Sequence, residues 1–112
     1  MVGYYHQPTL SHTSVAFVCE DDVWVLLLLP TLGSPYRITT DGCSRRPSLS
    51  PDGKWVAYTS YVTGAEEVFV VSAEGGRPLQ LTHFGADSLV VGWTPDGNEV
   101  AFTSNYRQAR NK

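Results

Sequence analysis

Three histidines, two cysteines and two short acidic runs are the residues of this chain that could do chemistry. His6, His12 and His83 have neither the i, i+4 spacing of a helical zinc pair nor the cysteine company of a structural zinc site. Glu20-Asp21-Asp22 sets three acids side by side, whereas calcium and magnesium take oxygen ligands spaced along a loop. No Gly-x-Ser-x-Gly elbow occurs, and no glycine loop of phosphate-binding type follows a strand. His83, in Leu81-Thr82-His83-Phe84, closes a strand and reads as structural. These patterns give no catalytic, metal or cofactor-binding residue, so no enzyme activity is expected within the chain. Cys19 and Cys43 lack the spacing of a disulfide framework and read as two reduced thiols, which favours the cytoplasm.

The elements that hold these residues are more informative. Leu49–Ser60 ends one apolar segment, turns on Pro51-Asp52-Gly53 and starts another. Proline presets φ, aspartate bonds its own backbone and glycine accepts φ > 0, so the corner is that of a hairpin. The same text returns as Trp93–Ser104, with Pro95 standing 44 residues after Pro51. A third, shorter copy aligns Val15-Ala16-Phe17 with Val56-Ala57-Tyr58. Each unit contains short β-type runs joined by tight turns, with no helical periodicity, and the acidic runs Glu20–Asp22 and Glu66-Glu67 read as hairpin turns. Val56 and Tyr58 point to one side of their strand and Trp55, Ala57 and Thr59 to the other, leaving both faces largely apolar.

Four strands in about 40–45 residues is the arithmetic of a β-propeller blade, so the expected fold is all-β, a propeller fragment of about two and a half four-stranded antiparallel blades. As a single partial domain, blade one spans about residues 8–40, blade two about 46–83 and a half blade about 88–104, before a polar tail at 105–112. Ser50-Pro51-Asp52-Gly53-Lys54-Trp55-Val56-Ala57-Tyr58-Thr59-Ser60 resembles the repeat of the Tol-system propeller protein, the prolyl-oligopeptidase-like peptidases and the tricorn proteases. Pro8-Thr9-Leu10, followed by Val15-Ala16-Phe17-Val18-Cys19-Glu20-Asp21-Asp22-Val23-Trp24, resembles the start of a tricorn-type six-bladed propeller. The resemblance implies a domain that gates and guides peptides, with catalytic domains that have no counterpart in these residues.

Composition narrows the partners. With 8 basic against 11 acidic residues and no cluster of either sign, nucleic acid is excluded. The longest apolar run, Val23–Leu29, is far short of the roughly 20 residues of a membrane helix, and Met1–Pro8 carries no secretory signal pattern. Two open blade faces need covering, because one wet face of about 350 Å² forfeits on the order of 9 kcal/mol at about 25 cal/mol per Å². Homo-oligomerisation, with a trimer closing a six-bladed ring, is the expected solution; the alternative is a truncated N-terminal propeller piece of a tricorn-like serine peptidase. A ring would present a protein- or peptide-binding or scaffold surface. The oddest stretch is Leu26–Leu32, where Leu26, Leu27, Leu28, Leu29 and Leu32 replace the polar turn found in the second unit. It reads either as an interface or as a loop folded onto its own sheet.

Overall fold

The computed structural model describes residues 6–10, 14–28 and 32–104, with side chains from residue 14 onward. His12, Leu29 and the tail at 105–112 lie outside the described residues, as do the side chains of His6, Pro8, Thr9 and Leu10.

Ten strands and no helix make up the described residues. The first sheet orders β1 (His6–Leu10), β2 (Ser14–Cys19), β3 (Asp22–Leu27) and β4 (Tyr36–Arg37) as neighbours. The second repeats that order with β5 (Ser44–Leu49), β6 (Trp55–Ser60), β7 (Glu67–Ser72) and β8 (Leu79–Gln80). The third has only β9 (Ser88–Trp93) and β10 (Val100–Ser104). All pairs are antiparallel, and these sheets are two four-stranded propeller blades followed by a two-stranded one. The chain is all-β, a partial propeller, as the repeat arithmetic requires.

Each blade begins with an irregular pair. The register shifts between His6 and Thr9, between Arg45 and Ser48, and between Ala101 and Phe102. Arg46 takes φ 54° at the second of these, the left-handed geometry of a bulge. The second and third strands pair without a slip, from Ser14↔Leu27 to Cys19↔Asp22 and from Trp55↔Ser72 to Ser60↔Glu67. Glu20 and Asp21 close the first of these hairpins with φ of 53° and 65°, the two-residue turn whose twist suits antiparallel strands.

Alternation along β6 builds two cores from one strand. Val56 and Tyr58 join Ala16, Val23, Val25, Leu49, Phe69 and Val71 in the layer between blades one and two. Ala57 joins Val68 and Val90, with Trp93 and Val100 packed against them, in the layer between blades two and three. Polar atoms stitch this second layer: the Val90 amide donates to Thr59 Oγ1 at 3.2 Å, and Trp93 Nε1 donates to the Ser48 carbonyl at 2.7 Å.

The two Pro-Asp-Gly corners share one bonding scheme. Ser50 Oγ donates to Asp52 Oδ1 at 2.6 Å, and Thr94 Oγ1 to Asp96 Oδ1 at 2.6 Å. The Lys54 and Asn98 amides bond the same carboxylate oxygens at 2.9 and 3.0 Å. Gly53 and Gly97 supply the required φ of 74° and 76°. The side-chain bond from Ser50, then the amide of Lys54, holds the Asp52 carboxyl below its ordinary pKa, and Thr94 and Asn98 do the same for Asp96.

Candidate inter-blade binding site

The acids read as turn residues have a second duty. Asp22 and Glu67 open the third strand of their blades and are 5% and 3% exposed. A buried carboxylate is costly unless hydrogen-bonded, and both are. Thr39 Oγ1 donates to Asp22 at 2.8 Å while accepting from the Val23 amide at 2.9 Å. Thr82 Oγ1 donates to Glu67 at 2.6 Å while accepting from the Val68 amide at 2.9 Å. Asp22 also holds the Gly42 amide at 3.0 Å, and Glu67 the Gly85 amide at 2.8 Å. Burial alone would raise the Glu67 pKa, but Thr82, the amides of Gly85 and Phe84 and the nearby His83 outweigh it and leave it lowered. His83 is exposed beside this carboxylate. Among the described residues, no three His, Cys, Asp or Glu side chains converge as metal ligands.

Between blades one and two lies a groove crossed by Tyr36, whose hydroxyl donates to the Ala73 carbonyl at 2.7 Å. On the side of the Pro-Asp-Gly corner the groove opens as a cleft of about 490 Å³, with Leu27, Tyr36, Trp55 and Ala73 as its apolar wall and Asp52, Lys54 and Glu74 as charged ones. Trp55 is 47% exposed and Leu27 39%. The cleft thus sets an accessible indole beside an aliphatic side chain, with hydrogen-bonding groups at its margin.

The structure divides the leucine stretch. Leu26 and Leu28 are half-buried, Leu27 lines the cleft, and Leu32 is 73% exposed on a loop closed by the Gly33 amide on the Leu27 carbonyl at 2.9 Å. Leu26 and Leu27 alternate along β3, while Leu28 and Leu32 lie beyond its end. Trp55 and Tyr36 were not singled out as site residues. Their signal lay in position: a Trp opening a strand beside an Asp-Gly corner, opposite an apolar loop in the preceding unit.

At the far end of the arc β10 pairs, among the described residues, with β9 alone, while β2 and β6 are flanked on both sides. Every β10 residue from Ala101 to Ser104 is exposed. Val91 is 66% exposed, and Phe102 tilts against Phe84 with ring centroids 6.1 Å apart.

Comparison with known proteins places this arc. A tricorn protease homolog of Streptomyces coelicolor is 45% identical over 97 residues, an alignment covering 85% of this chain and 9% of that protein. The chain thus spans less than a tenth of the length of this curated relative. Among solved structures, TolB from Acinetobacter baumannii superposes with a TM-score of 0.75 at 24% identity, covering 92% of this chain and 27% of that one. The tricorn protease superposes with a TM-score of 0.71 at 23% identity, covering 87% of this chain and 10% of that one. These two likenesses speak to the fold. The model of the tricorn protease N-terminal β-propeller domain matches residues 2–112, which take in the whole repeat array described above, and the chain belongs to that family.

Proposed function

We propose that this chain is a non-catalytic propeller arc that binds protein or peptide ligands and is completed by association of identical copies. The observation that carries the reading is the two-stranded third blade, whose β10 edge and apolar Val91 and Phe102 have no covering strand or sheet among the described residues. Such an edge is a template for pairing with another chain. Head-to-tail contact between arcs is heterologous and terminates only when the rotation closes. Three copies of the two full blades make a six-bladed ring, with each β9–β10 pair placed on a neighbour. The exposed Leu32 and the cleft walled by Leu27 and Trp55 supply the ligand- or subunit-facing surface. Two free cysteines, one of them buried, accord with a cytoplasmic setting.

Light scattering at micromolar concentration tests this. A species of three times 12.3 kDa is expected, and a clean monomer would sink the ring. Replacing Leu27 and Leu32 by serine should lower the assembly state while leaving the β content intact. An unchanged assembly would remove this loop from the contact.

The match to less than a tenth of the Streptomyces relative favours a second reading. In it the chain is the opening part of a tricorn-like peptidase propeller, which gates substrate for catalytic domains encoded further on. A reading frame that continues past residue 112 into more Pro-Asp-Gly repeats would support it, and a stop codon with no such repeats downstream would count against it.

A further inference from the structure

Beyond Tyr36 the groove between blades one and two opens again, as a second cleft of about 460 Å³ lined by Tyr58. Tyr58 is 1% exposed, and its ring stacks on Phe69 with centroids 5.6 Å apart and 15° between planes. Among the described residues nothing hydrogen-bonds its hydroxyl, yet that hydroxyl is not sealed away from the cleft. That hydroxyl therefore offers the cleft lone pairs that no described protein group occupies.

The walls say what that partner is. Asp41 and Glu74 face the cleft, and burial first, then the charges of Asp41 and Asp22, push the Tyr58 pKa up and keep the phenol neutral. Asp41 Oδ2 accepts one hydrogen bond, from Ser60 at 2.9 Å, which leaves lone-pair capacity. The one cation in the wall, Arg37, stands 3.8 Å from Asp22 and lies over the Trp24 ring at 6.0 Å, so its charge is already matched. Gly75 and Gly76 form an open wall, with nothing within 4 Å of where a Cβ would stand.

We propose that this cleft receives the cationic side chain of a lysine or arginine from a peptide ligand, its N–H groups donating to Asp41, Glu74 and the Tyr58 hydroxyl oxygen. The assignment rests on the peptide-binding half of the proposed function and is independent of ring closure. It gives Tyr58 two separable properties: the ring holds the core, and the hydroxyl serves the ligand.

Amide shifts of Thr40, Gly75 and Gly76 in the ¹⁵N-labelled chain, titrated with blocked Gly-Lys-Gly, Gly-Arg-Gly and Gly-Glu-Gly peptides, test it. Saturable shifts with the lysine or the arginine peptide are expected, the tighter of the two naming the side chain, with none from the glutamate peptide. Tyr58→Phe should weaken binding about fivefold or more without lowering Tm, because it breaks no hydrogen bond within the described residues. Glu74→Gln should weaken binding with Tm unchanged. Equal shifts from the glutamate peptide, no saturation with either cation, or wild-type affinity in Tyr58→Phe would overturn the proposal. A monomer that binds the lysine peptide removes the ring and keeps the cleft, and a trimer indifferent to both cationic peptides does the reverse.

Discussion

The hairpins at Ser50–Ser60 and Thr94–Ser104 have the same corner and opposite surroundings. Their turn bonds agree to about 0.1 Å. After the corner, Val56 to Ser60 are all buried, whereas Ala101 to Ser104 are all exposed. The corner is therefore a local property of its own few residues, carried wherever they occur. Burial of the strand that follows belongs to the neighbouring sheets, and only blade two has one on each side among the described residues.

Core truncation should break the symmetry most sharply. Tyr58→Ala is expected to cost about 3–5 kcal/mol, the usual range for a large buried ring, while Phe102→Ala at the open blade costs less than about 1 kcal/mol in the dissociated single chain and more once a neighbouring copy covers that blade. Urea unfolding of both variants measures the difference. Equal costs would mean that the third blade is covered in solution.

Next comes the clamp. Glu67→Gln should cost about 1–3 kcal/mol through lost charge-assisted hydrogen bonds. Because the folded pKa of Glu67 is lowered, its contribution is fully present above the unfolded carboxylate value and fades as pH falls through the folded one. Melting temperature from about pH 6 down to pH 3 should fall less steeply in Glu67→Gln than in the parent. Parallel profiles would refute the assignment.

The smallest effects test the corners themselves. Ser50→Ala and Thr94→Ala should each cost about 1 kcal/mol, the worth of one such hydrogen bond, and should do so equally despite the unequal burial of their strands. Faster hydrogen exchange at the Trp55 and Glu99 amides, which bond Ser50 Oγ and Thr94 Oγ1, would locate the loss.

Strand positions, the two-faced β6 and the Pro-Asp-Gly corners were legible in the sequence because each is written in adjacent residues: period-two alternation or a turn tripeptide. The clamps were not. An acid ahead of a hydrophobic run has the appearance of turn punctuation, and the threonine that recruits it lies 17 residues on for Asp22 and 15 for Glu67. The clefts were also hidden, since Trp55, Leu27 and Tyr58 meet their surroundings only where one blade leans on the next. The leucine run was legible as a departure from the polar turn of the second unit, but which of its side chains lines the cleft is set by β3, which ends at Leu27.

Asp22 and Glu67 also bear on the shape of any ring built from this chain. The carboxylate that begins a blade's third strand holds the glycine amide at the crossing to the next blade. Beside each lies a backbone bond across the same crossing, from Ser44 to Asp21 at 2.8 Å and from Ser88 to Glu66 at 2.7 Å. These bonds join the inter-blade cores and the bonds of Tyr36, Val90 and Trp93 in holding the angular step from one sheet to the next. An aspartate serves the first step and the longer glutamate the second, so the two steps need not be equal in angle. Circular closure then depends on how such steps sum, and exchanging the two acids is a way to retune the pitch of the arc without touching either core.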